Sequence, residues 1–286
     1  MKNLLTAVVG VLSITFFSCQ KEQSLSMLAA NQSSQSASSA ARNDCPALPA
    51  DLTKHLVAYY PFCGNANDES GNNNNPNFNN ATLTADRFGN ANSAYSFNGD
   101  RQYIKGICTQ YPRKCRTISL WYKINDLSHH NEIMGYGGGT CGNFFFITLN
   151  QGNHPGTYTA QAHCDIFNCS TSNGYPSDNN WYNLIVTSGN GNTKFYVNGN
   201  LVRNFKVEFS GTIVAGKDFG FGTITSTSGA PYTDTNVDFL KGCLDDIVIY
   251  DWVLTPEQVK RLYDFFSTQT LSIRTSNAQQ LMSAAL

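Results

Sequence analysis

Phe195-Tyr196-Val197-Asn198-Gly199-Asn200-Leu201-Val202 is the stretch on which the fold turns. Asn-Gly between two apolar runs suits the positive φ angles of a type I′ turn, so Val197 to Leu201 reads as a hairpin. Working outward, short apolar runs cut by Gly, Asn and Pro read as further strands. They are Leu56 to Phe62, Ala94 to Phe97, Thr117 to Ile124, Phe144 to Leu149, Tyr158 to His163, Trp181 to Thr187, Lys194 to Val197 and Leu244 to Tyr250. Only Pro256 to Phe266 reads as a helix. Thr255 can cap it, Pro256 sits at its first position, and Val259, Leu262, Tyr263 and Phe266 share one face. Many short strands with one terminal helix predict an all-β, antiparallel two-sheet jelly-roll sandwich. The Asn-rich tract from Asn72 to Asn80 reads as a loop between strands.

Composition narrows the partners. The chain has a formal net charge of −1, and only 14 % of its residues are charged. Such a chain has no basic surface for nucleic acid and no polybasic strip for anionic lipid. The wealth of Asn, Gly and aromatic residues suits an exported β-protein with solvent- or glycan-facing loops.

The first residues set the compartment. Lys2 followed by the apolar run Leu4 to Phe17 is too short to span a bilayer and reads as an export signal, residues 1–18. Phe16-Phe17-Ser18-Cys19 resembles a bacterial lipobox, which implies cleavage before Cys19 and acylation of that cysteine. More than one acyl chain, at roughly 0.8 kcal/mol per buried CH2, anchors stably. Gln20-Lys21-Glu22 resembles the signal that sends lipoproteins of Bacteroidota-type bacteria to the outer face of the outer membrane. The expected location is therefore the outer membrane, surface-exposed. Residues 19–53 are mostly Ser, Ala, Gln and Asn and read as a tether, residues 54–266 as the domain, and 267–286 as a tail.

With Cys19 set aside, the remaining cysteines are Cys45, Cys63, Cys108, Cys115, Cys141, Cys164, Cys169 and Cys243. An even number in an oxidising compartment reads as disulfides, with about 105 possible pairings. Cys108 and Cys115 flank a short turn that a bridge would staple. Zinc is disfavoured, because no C-x2-C or H-x3-H spacing occurs.

Several segments, in order, resemble laminin-G-like, concanavalin-A-like jelly-roll domains. Leu56-Val-Ala-Tyr-Tyr-Pro-Phe62 with Gly64 to Gly71 is similar to their opening. Ala94 to Gly99 with Tyr103-Ile104, Thr117 to Trp121, Asn180 to Thr187 and the hairpin are similar to later strands. Leu244 to Tyr250 with Leu254 to Val259 is similar to their closing strand and helix. The resemblance covers about residues 54–266 and implies one structural calcium ion near the first and last strands. Asp68 would supply one carboxylate, and Asp245 or Asp246 another. Strand alternation would let only one of that pair face a given site. If first and last strands pair as the family implies, a Cys63–Cys243 bridge would lock the same corner.

A sugar surface needs an aromatic face and polar groups for hydroxyls. Trp121 alternates with Ser119 and Lys123, opposite Ile118, Leu120 and Tyr122, which lets it sit on an outer sheet face, although the resemblance implies an aromatic there for packing. Loop candidates are Tyr136 before Gly137-Gly-Gly139, and Tyr175 and Tyr232 in Gly/Pro-rich loops. Glycan hydrolysis in jelly-roll relatives needs two carboxylates about 5 to 9 Å apart. The alternating acidic pattern for that is absent between Gly106 and Phe219, and no G-x-S-x-G occurs. The sequence therefore reads as a non-catalytic lipoprotein whose module binds carbohydrate. The alternative is a protein-binding adhesin or a subunit of an outer-membrane assembly.

Overall fold

Asn198 and Gly199 adopt φ angles of 49° and 75°, the left-handed pair that the Asn-Gly hairpin requires. The computed structural model describes residues 45–108, 110–126, 130–138, 144–150, 157–162, 168–170, 179–209, 217–224 and 239–268. Among them the strands, in chain order, are β1 (Leu56–Tyr60), β2 (Pro76–Asn79), β3 (Thr82–Thr84), β4 (Ala94–Asn98) and β5 (Ile104–Cys108). There follow β6 (Arg116–Ile124), β7 (Asn131–Gly137), β8 (Phe144–Leu149), β9 (Tyr158–Ala162) and β10 (Asn168–Ser170). The last are β11 (Trp181–Gly189), β12 (Asn192–Val197), β13 (Asn200–Phe205), β14 (Lys217–Phe221) and β15 (Lys241–Tyr250), before helix α1 (Pro256–Ser267).

They form two antiparallel sheets. One runs β13-β12-β11-β6-β15-β4-β3, with β1 also paired to β15; the other runs β10-β9-β8-β7-β14-β5-β2. This is the two-sheet jelly roll expected of the sequence. First and last strands do pair, with Tyr59 opposite Val248 and Tyr60 opposite Ile247. The tract read as a loop contains a strand, since Pro76–Asn79 pairs with β5. Pro76 opens that edge strand, where a missing N–H costs least.

Between the sheets lies the main core, including Tyr60, Phe62, Phe97, Leu120, Tyr136, Phe145, Phe195, Phe219, Phe221 and Leu244. Burying each such side chain is worth roughly 1.5–3 kcal/mol. A second cluster covers the outer face of the β6–β15 sheet, where Val259, Leu262 and Phe266 of α1 pack on Tyr59, Trp121, Ile185, Val248 and Tyr250. The helix is capped as predicted: the Gln258 N–H donates to the Thr255 hydroxyl, and the Gln258 side chain accepts from the Thr255 N–H. Leu48 and Leu52 join the same cluster, and the Tyr250 hydroxyl donates to the Leu52 carbonyl. The folded unit thus begins before residue 54: the part of the expected tether from residue 45 on is packed against the sheet.

Two expected disulfides are absent. Cys115 and Cys243 are both thiols. The edge of β15 beside Cys243 is filled by Ser96 of β4, so a bridge to Cys63 has no place there. Cys108 ends β5 opposite Lys217 in one sheet, whereas Cys115 abuts β6 in the other, with its sulfur toward Gly189. Burial pushes the Cys243 thiol up from its ordinary range, opposed in part by Lys123 and a hydrogen bond with Ser96. A thiol with so little thiolate is slow to react. In the native protein, iodoacetamide is expected to label Cys115 while sparing Cys243 until denaturant is added. Native labelling of Cys243 as fast as Cys115, read by peptide mass mapping, would contradict this placement.

Candidate functional site

The three carboxylates expected near a metal have other partners. Asp68 organises its turn: Oδ1 accepts from the backbone N–H groups of Tyr59 (2.9 Å) and Ser70 (3.0 Å), and Oδ2 from that of Asn74 (2.9 Å). Asp245 and Asp246 both face Arg87, whose guanidinium donates to Asp245 Oδ2 (2.5 Å), Asp246 Oδ2 (2.7 Å) and the Phe266 carbonyl (2.8 Å). Strand alternation had set these two carboxylates on opposite faces. A bulge overrides it: β15 advances three residues, Asp245 to Val248, while β6 retreats two, Trp121 to Ser119. Asp246 takes a φ of 44° there, and both carboxylates end on one side. Arg87 lies against the Trp121 ring (4.2 Å) and the Phe88 ring (4.5 Å). Its guanidinium supplies the positive charge that calcium would have brought, so Asp245 and Asp246 do not fit as ligands while Arg87 is present. Among the described residues, no three His, Cys, Asp or Glu side chains gather as a metal site.

Two expected ligand aromatics are structural. Trp121 does reach the outer sheet face, but α1 covers it: the indole is 6 % exposed and stacks on Tyr263 at 5.9 Å. Tyr136 is wholly buried, because its strand turns it into the core, where it stacks on Tyr111 at 4.9 Å. Tyr175, Tyr232 and Cys19 lie outside the described residues. On the outer face of the second sheet, Phe144, Phe146 and Ile224 form a small buried cluster.

Among the described residues, Trp252 and Phe78 are exposed aromatics outside the expected set. Trp252, 49 % exposed, follows β15 and lines a cleft of about 560 Å³ with Asp251 and the loop from Gln110 to Cys115. Sheet register explains why these parts meet. Tyr250 is opposite Leu56 and Thr117, and Arg116 is opposite Ser188, so four strand ends converge at one end of the sheet. The Thr117 hydroxyl donates to the Trp252 carbonyl (2.7 Å) and accepts from the Leu254 N–H (3.0 Å). The Asp251 N–H donates to the His55 carbonyl (3.1 Å). His55 stacks on the indole at 4.7 Å and 11°, and its Nδ1 lies 3.2 Å from the Asp251 carboxylate.

The other wall is held from beneath. The Tyr136 hydroxyl donates to the Pro112 carbonyl (3.3 Å), and the Tyr111 and Tyr60 hydroxyls share a hydrogen bond (3.1 Å). Arg116, 1 % exposed, donates through Nη2 to the carbonyls of Arg113 (2.7 Å), Lys114 (3.4 Å) and Phe209 (3.4 Å). Its guanidinium rests on the Phe145 ring at 4.5 Å. Gly189 closes the floor: a Cβ there would stand 2.7 Å from Val253 and 3.0 Å from the Cys115 sulfur. The result is a water-open cleft, hydrogen-bonded from beneath, with one indole platform and charged side chains on its rim.

Residues 98–260 match the family described as the concanavalin A-like lectin/glucanases superfamily, in its laminin G type. The chain belongs to this superfamily. Among curated proteins, none matches the sequence. Solved structures agree with the superfamily fold. Domain 4 of an extracellular arabinanase from Geobacillus stearothermophilus, in complex with arabinotriose, superposes with a TM-score of 0.50 at 23 % identity, covering 73 % of this chain and 98 % of that one. The receptor-binding domain of botulinum neurotoxin type G gives 0.52 at 15 %, covering 74 % and 51 %. Botulinum neurotoxin type C, whose uptake into cells depends on interaction with two ganglioside molecules, gives 0.53 at 18 %, covering 75 % and 52 %. The chain thus spans about half the length of the neurotoxin structures. At these identities the likeness is one of fold. For a member of this superfamily, the legible signal for Trp252 was its position: an aromatic between the closing strand and the helix cap, outside the pattern of either.

Proposed function

We propose that the chain is a non-catalytic carbohydrate-binding module, carried on the outer membrane by an acylated Cys19. The observation that carries this reading is the half-exposed Trp252 indole lining the cleft, with one face already stacked on His55. The other face is left for a pyranose, and Gln110, Arg113 and Asp251 stand where hydroxyl groups need partners. The superfamily, and neighbours that hold arabinotriose or interact with gangliosides, support a saccharide ligand. A protein partner has one observation in its favour. Edge strand β13 exposes Leu201 (53 %) and Val202 (48 %), a ready site for strand addition.

On a glycan array, the acylation-free mature chain is expected to bind saccharides, and Trp252→Ala to lose at least about tenfold in affinity while keeping its melting temperature. A clean array, or full binding by the variant, ends this reading. An EDTA arm tests the calcium that the family implies. With Arg87 holding Asp245 and Asp246, Asp68 is the remaining carboxylate of the expected set.

A further inference from the structure

We infer that the cleft takes an acidic saccharide, its ring on Trp252 and its carboxylate on Arg113 and Lys114; this rests on the carbohydrate reading above. The charge balance of the cleft carries the inference. Arg113 and Lys114 are both exposed on its rim. Asp251 is the lining carboxylate, and it already faces the His55 imidazole at 3.2 Å. A neutral sugar would make no charge-assisted bond to these two cations. A sugar carboxylate satisfies them, and arginine offers the planar fork that matches it.

A second observation points the same way from beneath the surface. Arg116 is fully buried, and its Nη2 donates to the carbonyls of the two residues that bear the rim cations. Among the described residues no carboxylate pairs with it, and its Nε has no partner. A buried cation is normally neutralised by a carboxylate, since an uncompensated one is costly. Here the charge stays unbalanced directly under the loop and adds to the positive potential of the cleft above. Arg116 is thus a positioning residue that fixes the loop and biases its field toward anions.

The test uses calorimetry on the mature chain with paired oligosaccharides, each neutral member matched to its uronate or sialate counterpart. The wild type is expected to bind acidic members about tenfold or more tighter than their neutral partners, with an advantage that shrinks in high salt. Arg113→Gln with Lys114→Gln, both exposed, is expected to erase that advantage, so that acidic and neutral members bind alike. Equal or better binding of neutral members by the wild type overturns the inference and leaves the carbohydrate reading standing. An acidic preference that survives the double variant also overturns it. Absence of binding to any member removes both.

Discussion

Arg87→Met is expected to cost about 3–5 kcal/mol of folding stability, because it removes the guanidinium that bridges two buried carboxylates. Asp245 and Asp246 have fully buried side chains, and the Arg87 side chain is 5 % exposed. Neither carboxylate can reach water without opening the sheet or lifting the helix. Arg87 also ties the end of α1 through the Phe266 carbonyl. For a domain of this size the melting temperature should fall by roughly 10 °C or more. Adding Asp245→Asn and Asp246→Asn to Arg87→Met should recover much of the loss, since the uncompensated charge is gone. Calorimetric melting of the three proteins checks this. A single variant that melts with the parent would show that the cluster does not hold the helix to the sheet.

Gly242→Ala is expected to be at least as damaging, by a different route. Gly242 lies in β15, between Ile124 of β6 and Phe97 of β4. A Cβ there would stand 2.2 Å from the Lys123 carbonyl oxygen. That atom belongs to the backbone of a central strand, so no side-chain rotation relieves the clash. The strand pair must separate locally and lose ladder hydrogen bonds, a cost of about 4 kcal/mol or more. The variant should be recovered mainly as insoluble protein, and any soluble fraction should unfold at markedly lower urea. A normal urea midpoint would mean that the β15–β6 spacing is looser than described.

The parts of the fold that were legible in sequence are those whose signal is local. The Asn198-Gly199 turn, the Thr255 cap and the apolar closing strand each carry their instruction within a few residues. Strands β5, β7 and β14 were missed because glycine interrupts their patterns at Gly106, Gly135 and Gly220. Those glycines answer to tertiary contacts: a Cβ on Gly106 would meet the Phe219 ring at 2.5 Å. Nothing near Phe219 in sequence announces that. The surroundings of Asp245 and Asp246 were illegible for the same kind of reason. Their partner, Arg87, is more than 150 positions away along the chain. Trp121 was placed on the correct face, but α1, itself read correctly, was not seen to lie across it. The cleft was illegible because its two walls join distant strand ends whose meeting depends on register.

The connection bearing Trp252 has both ends locked, one in the closing strand and one in the helix cap, with the Thr117 hydroxyl fastened across its middle. Its backbone therefore has few conformations left to surrender when a guest arrives. Recognition at such a preorganised platform costs little conformational entropy, so even a small ligand needs no moving lid there. Weak individual contacts of this kind release as readily as they form, and several copies acting together would grip a repeating partner through avidity.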